Sequence, residues 1–212
     1  MPLAICLFSF TGFSKVEGKN EMVKKRIRAI SLDRLDDETI AQLRIWRNQD
    51  FVRKQMHNKG LISQQEHQKW VRNVKNDSKR DVFVIFLDNE PIGVCQYKIL
   101  DDKGTIELGD YLISEDYKNK GFGFIVTYAF WQIAYQLLHA KKAYYEVIET
   151  NTLMLKMTHR NNDELVREYV NEEGQKVYCY TFNYGPEDLQ SKKYKLFHSL
   201  IIEEPWEDIL VI

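Results

Sequence analysis

Cysteine is scarce. The 212-residue chain holds three, Cys6, Cys95 and Cys179, far apart and with no CxxC pair. Five scattered histidines give no HxxxH spacing, so no ligand set for zinc exists and no metal is expected. The odd, dispersed cysteine count points to a reducing compartment and to small buried hydrophobes rather than a disulfide frame. Charge of one sign is missing as well: 30 Lys+Arg stand against 31 Asp+Glu, a formal net charge of −1. Binding a phosphate backbone calls for a basic excess, so no nucleic-acid partner is expected, a local basic loop aside. The one apolar N-terminal stretch, residues 3–13, is about half the length needed to cross a bilayer, and no Lys or Arg precedes it. No membrane partner is expected, and the chain reads as cytoplasmic. Four prolines and 13% aromatic residues exclude a disordered chain.

What is present is an ordinary globular composition, 44% hydrophobic and 29% charged. At this length one domain buries about 70% of its unfolded surface without a staple. Met22 opens Met-Val-Lys-Lys-Arg just ahead of the first convincing strand, so residues 1–24 read as an N-terminal arm. Residues 25–184 read as the domain. Gly185-Pro186 opens a tail, 185–212, that reads as partly helical.

Within the domain the patterns alternate in kind. Residues 26–32 form a short strand. Asp36 or Asp37 caps a helix carrying Ile40, Leu43 and Trp46 at three-residue steps. Ser63-Gln-Gln-Glu66 has capping-box spacing and opens a helix with Trp70, Val71 and Val74 on one side. Residues 81–87, 91–100 and 105–114 read as a three-stranded antiparallel meander joined by Asp/Asn/Gly turns. Residues 121–139 are a helix apolar on nearly every side, hence buried. A strand at 143–149, a short helix at 151–161 and a hairpin of 165–170 with 177–183 complete the order. Only 105–114 and 143–149 are joined by a long helix, so those two strands should be parallel. The expected fold is α/β (α+β): a mixed, mostly antiparallel sheet flanked by helices.

The chemical signal lies in Glu107-Leu-Gly-Asp-Tyr-Leu-Ile-Ser-Glu-Asp-Tyr-Lys118-Asn119-Lys120-Gly121-Phe122-Gly123-Phe124. Glycines stand where a strand enters a buried helix. There they permit a left-handed turn and close approach of a ligand. The helix start offers unpaired amides and the positive end of its dipole, which suit a phosphate or pyrophosphate. A tight strand-to-helix turn alone would also use these glycines. No GxxxxGK[ST] occurs, and the third glycine of a dinucleotide fingerprint is absent.

Glu107-Leu-Gly-x-Tyr followed by Lys118-x-x-Gly121-x-Gly123 resembles motif A of the GNAT superfamily of acetyl-CoA-dependent N-acetyltransferases, over about residues 26–183. The resemblance implies a GNAT fold whose parallel strands splay apart to receive acetyl-CoA as cosubstrate. It implies that amides of Lys118, Asn119, Lys120, Gly121, Phe122, Gly123 and Phe124 hold the pyrophosphate. It implies that the backbone at Leu112, Ile113 and Ser114 pairs with the pantetheine. Lys118 stands where the family has Arg or Gln. Asn151-Thr-Leu-Met-Leu-Lys-Met-Thr158 resembles the family's Asn-x-x-Ala-x-x-Leu-Tyr, so Asn151 matches a CoA contact and is also a helix N-cap by its own chemistry. Thr158 occupies the place of the tyrosine that protonates the leaving thiolate. Met154 replaces the usual small residue.

Trp46-Arg47-Asn48, Val52-Arg53, Met56, Ile62-Ser63 and Glu66-His67-x-x-Trp70 resemble the pseudaminic-acid-pathway acetyltransferases, which acetylate an amino group of a UDP-linked deoxy-aminosugar. That implies a nucleotide-sugar acceptor met by Arg47, Asn48 and Met56. Ribosomal-protein N-terminal acetyltransferases share part of the pattern. A peptide acetyltransferase and a non-catalytic acyl-CoA-binding module therefore remain alternatives, and a homodimer is left open.

Acetyl transfer to an amine needs proximity, a deprotonated amine and a donor for the thioester oxygen. Glu107 is the candidate base, because desolvation beside an apolar cleft makes a carboxylate more basic. The residues alone also allow a solvated strand carboxylate. Thr158 holds the acid's place with a hydroxyl too weak to protonate a thiolate directly, so a tyrosine introduced there restores the acid if the slot is vacant. Tyr178, Tyr180 and Tyr184 are candidates to donate instead. Trp46, Trp70 and Trp131 read as core, and His67 and His159 as structural.

Overall fold

The structure, a computed structural model, describes residues 25–182 and 210–211. The arm, Cys6, Tyr184 and the tail up to residue 209 lie outside the described residues.

The elements run β1 (Ile27–Ser31), α1 (Asp37–Arg47), α2 (Asp50–Arg53), α3 (Gln64–Lys75), β2 (Arg80–Leu87), β3 (Glu90–Ile99), β4 (Thr105–Leu112), α4 (Phe122–Gln132), β5 (Lys142–Ile148), α5 (Thr152–Asn161), β6 (Glu164–Val170), β7 (Lys176–Thr181) and β8 (Leu210–Val211). One sheet contains every strand of the described residues, in the order β6-β7-β5-β4-β3-β2-β1-β8. β4 and β5 are parallel, as the long helix between them requires. The meander and the last hairpin are antiparallel. β8 adds a second parallel pair beside β1, from residues read as tail. Two residues that return across most of the chain leave no periodic trace in the sequence.

Local chemistry explains the elements. Asp36 caps α1 by accepting from the Thr39 amide at 2.7 Å. Ser63 and Glu66 form the reciprocal capping box of α3. The helix expected at 121–139 is α4, continued by a π turn, Ile133–Leu137. From Ile125 to Tyr135 every residue is buried except Thr127.

Two apolar layers cover the sheet. On one face Leu43, Trp46 and Val74 of α1 and α3 pack with Val82, Val84, Val94 and Ile113. On the other, α4 packs with Ile106, Leu108, Phe83 and Cys95. Gly93 permits this second layer, because a Cβ there would stand 2.4 Å from a Val126 methyl. Cys95 and Cys179 are buried and unpaired, as expected of small hydrophobes. Trp46 and Trp131 are core, and partly buried Trp70 stacks on His67 at 5.5 Å. His67 itself is buried, with Nε2 on the Ile40 carbonyl at 2.8 Å. Among the described residues no helix is long and apolar enough to cross a membrane.

Candidate active site

The site begins where β4 and β5 part. Their ladder runs from Thr105–Lys142 to Leu108–Tyr145 and stops. Beyond it β4 stays paired to β3 as far as Leu112, and β5 to β7 as far as Ile148. The two strands therefore open a V between residues 109–112 and 146–148. Backbone parity decides what faces it. Thr105 and Ile113 direct main-chain groups to the β3 side, Thr105 O accepting from Leu100 N at 2.9 Å and Ile113 N donating to Ile92 O at 3.3 Å. Alternate residues point the other way. The amides and carbonyls of Asp110 and Leu112 thus face the V, where the ladder has ended.

This refines the pantetheine expectation. Leu112 points its backbone into the gap. Ile113 does not: its amide is bonded to Ile92 and its carbonyl accepts from Gln49 Nε2 at 2.6 Å. Ser114 caps the next turn, its hydroxyl accepting from Asp116 N at 3.2 Å. Asp110, which no motif marked, takes the vacant place.

The chain then reaches the glycine loop. Asn119 and Gly121 are left-handed, with φ of 60° and 88°, and Gly121 caps α4. Gly123 lies inside α4, so the permissive backbone belongs to Gly121. What Gly123 supplies is room, since a Cβ there would meet nothing within 4 Å. The amides of Phe122 and Gly123 have no carbonyl ahead of them in the helix. Phe124 N is bonded to Gly121 O at 3.0 Å and is not available. Phe122 stacks on Tyr117 at 4.5 Å, bracing the loop. Lys118 is held by Glu115 at 2.8 Å and lies over Phe51 at 4.6 Å, which ties the loop to α2 and offsets its charge. Lys120 is exposed. Asn151 caps α5 with its oxygen, accepting from Met154 N at 3.3 Å.

Thr158 is buried, on the α4 side of the sheet. Its hydroxyl donates to Met154 O at 2.8 Å and lies 3.0 Å from the Tyr145 phenol, which donates to Asp163 at 2.7 Å. The slot is therefore not vacant. Tyr180 stacks on Tyr145 at 5.7 Å and Tyr178 lies beside Tyr180, so both are packing partners.

The opposite face carries Glu107, exposed and set between Lys98 of β3 and Tyr144 of β5. It is not enclosed by apolar side chains. A more sheltered carboxylate, Glu146 on β5, binds Tyr169 Oη at 2.8 Å and Arg167 at 3.1 Å, with His57 Nε2 3.5 Å away. Burial pushes the nearby Cys179 thiol up, and Glu146 and Glu107 add to that through their charges. The α2–α3 loop roofs this face. Asn48 grips Ile62 with both amide atoms, at 2.8 and 2.9 Å, so its side chain is committed to the loop. Arg53 holds Asn48 O, Lys59 O and Asp50. Arg47 donates to Asn58 O at 2.8 Å, while its Nη1 is enclosed with no hydrogen-bond partner among the described residues. Burial lowers the Arg47 pKa. Met56, half-buried, lies in the turn that follows α2, its amide donating to Arg53 O at 3.0 Å. A separate groove of about 540 Å³, between α1 and α3, contains none of these residues and is lined by Arg44, His67, Gln68 and Arg72 among others. Among the described residues no group of three or more His, Cys, Asp or Glu is arranged to hold a metal ion.

A sheet with one splayed parallel pair, a glycine turn at the following helix and a roofed opposite face defines an acyl-transfer fold. Residues 26–162 match the Acetyltransferase (GNAT) domain. The chain belongs to the GNAT acetyltransferase family and is an acyltransferase. It is 27% identical over 128 residues to acetyltransferase PseH of Campylobacter jejuni, covering 60% of this chain and 78% of that one. The crystal structure of that enzyme with acetyl coenzyme A matches with a TM-score of 0.53 and 20% identity, over 72% of this chain and 96% of that one. Spermidine N-acetyltransferase from Vibrio cholerae, in complex with CoA and spermine, matches with a TM-score of 0.63 and 14% identity, over 75% and 95%.

Proposed function

We propose that the protein transfers an acetyl group from acetyl-CoA to a primary amine, and that the acceptor is a nucleotide-linked deoxy-aminosugar. Acetyl-CoA fits the V: main-chain groups of Asp110 and Leu112 suit the pantetheine amides, and the open space at Gly123 suits the pyrophosphate. Asn151 retains its amide NH2 for the same ligand. The donor and acceptor approach from opposite faces of the sheet, which sets the amine against the thioester carbonyl. Glu107, on the acceptor face, takes the amine proton directly or through water. The Asp110 amide donates to the thioester oxygen as charge develops there.

The acceptor class rests on Arg47. An enclosed guanidinium nitrogen without a partner among the described residues suits a phosphate oxygen, and Met56 in the same loop suits a flat base. Likeness to PseH supports the aminosugar. The test is a thermal-shift screen with acetyl-CoA and UDP-, dTDP- and CDP-linked amino sugars, followed by thiol release. Stabilisation by a nucleotide amino sugar, with CoA freed only in its presence, supports the reading. CoA release with peptides alone removes it, and acetyl-CoA binding without release to any amine leaves a binding module.

A further inference from the structure

β4 offers one carboxylate to each face of the sheet. Alternation sets Glu107 with Tyr111 and Ile113 on the α1–α3 side, and Asp110 with Leu108 and Leu112 on the α4 side. Asp110 is also the residue whose main chain first faces the V. Its side chain is exposed to solvent at the open end of the V. The protein atoms on its α4 side still displace part of its water, and this desolvation pushes its pKa up to about 6.

α4 is notched at the same place. Thr127 is the single break in the buried run from Ile125 to Tyr135, and its hydroxyl is aimed at Asp110 Oδ2 from 3.4 Å. Few groups surround the carboxyl. From α4 comes Thr127. From β3, directly across the ladder, comes Cys95, whose thiol burial pushes well up. From β5 the last residue paired to β4 is Tyr145, opposite Leu108 and also raised by burial, and beyond it the strands part. Thr158 and the anion Asp163 stand behind Tyr145. None of these is a cation, so nothing among them holds Asp110 ionised once water leaves.

We propose that Asp110 is the acid of the reaction: it takes up a proton when acetyl-CoA fills the V and gives that proton to the departing sulfur. This rests on the acetyl-CoA reading of the V. The amine nitrogen attacks the thioester carbon, a C–N bond forms and the C–S bond breaks. The electron pair stays on sulfur, which takes the Asp110 proton and leaves as CoA thiol. The amine's surplus proton goes to Glu107 or water on the other face. Asp110 is reprotonated from solvent as the next acetyl-CoA binds. The tyrosine phenol of the family's motif is thereby replaced by a carboxyl group on a strand, on the same face as the buried Thr158.

The test needs no acceptor. Calorimetry of acetyl-CoA binding at pH 7, in buffers of different ionisation enthalpy, counts protons taken up. The full-length wild type should take up about half a proton or more per site beyond Asp110→Asn, because the carboxyl passes from mostly ionised to mostly neutral. Ultraviolet titration of bound CoA should show the thiolate appearing at a lower pH in Asp110→Asn, by about one unit, since the neighbouring carboxylate is gone. Should Asp110→Asn fail to fold, Thr127→Val serves: losing the donor to the carboxylate moves the pH of maximal uptake upward. Acetyl-CoA binding with equal uptake and equal thiolate titration in wild type and variant overturns the inference alone. No acetyl-CoA binding to the wild type overturns the reading of the V and the inference with it.

Discussion

The phenol of Tyr145 lies 3.0 Å from the hydroxyl of Thr158, and the two have a fixed proton supply between them. Tyr145 donates its one proton to the Asp163 carboxylate and Thr158 directs its own to the Met154 carbonyl. Neither is free to protonate a leaving group. The pair pins α5 to β5 and to the start of β6.

Thr158→Ala should therefore act on stability. Loss of the buried hydroxyl costs about 1 kcal/mol, the net worth of an ordinary hydrogen bond, and turnover should change less than about tenfold. Thr158→Tyr should not raise the rate, because Tyr145 already stands there and overpacking costs about 1–3 kcal/mol. Denaturant melts beside steady-state rates separate these effects. A collapse of turnover in a normally stable Thr158→Ala protein would return the acid role to Thr158.

Gly123→Val should weaken acetyl-CoA at least about tenfold while leaving the fold intact. The residue is helical in conformation and its Cβ direction is open, so the side chain fits the empty protein. In the complex it stands where the pyrophosphate approaches, and about 1.4 kcal/mol of lost binding is a tenfold change. Calorimetry that returned the wild-type affinity in a folded variant would move the anion cradle elsewhere.

How much of this was legible in the sequence follows from how local each cause is. The Asp36 cap and the Ser63–Glu66 box depend on residues three apart, and they stand as read. The parallel pair followed from one long apolar helix. Gly121 was legible because a turn there needs a left-handed residue. Asp110 was not, because a single Asp in a strand looks like any solvent-facing residue until the end of the β4–β5 ladder and the Thr127 notch are known. The loop grip of Asn48 on Ile62, between residues fourteen apart, was hidden for the same reason. Its motif resemblance named the residue without showing that both of its amide atoms are taken.

Asp110 should make the empty protein sensitive to mild acid in a particular direction. Burial of one side pushes its pKa up to about 6 in the folded protein, from the ordinary aspartate value of 3.8. Below the lower value both states are protonated and the carboxyl opposes nothing. Between the two the unfolded chain ionises while the folded one holds its proton, so this group's contribution falls as pH rises and is lost above about 6. Relative to Asp110→Asn, the wild type should lose melting temperature between about pH 4 and pH 6. Parallel curves for the two proteins would mean that the carboxyl is fully solvated.

Glu107→Gln should lower turnover and leave acetyl-CoA binding nearly unchanged. The amide keeps the shape and loses the basicity, and a general base contributes on the order of 10²–10⁴ in rate. Glu107 is exposed on the acceptor face, with no hydrogen bond or ion pair to the described residues, which leaves its lone pairs open to the incoming amine or its water. Glu146 is the competing carboxylate on that face. Its oxygens accept from Tyr169 and Arg167, so they are occupied by donors, and Glu146→Gln should unsettle the β5–β6 region and raise the acceptor KM more than it lowers kcat. The pH profile discriminates further. With Glu107 as base, the acidic limb of kcat/KM disappears in Glu107→Gln and persists in Glu146→Gln. The reverse pattern, at equal acetyl-CoA affinity in both variants, would transfer the base to Glu146.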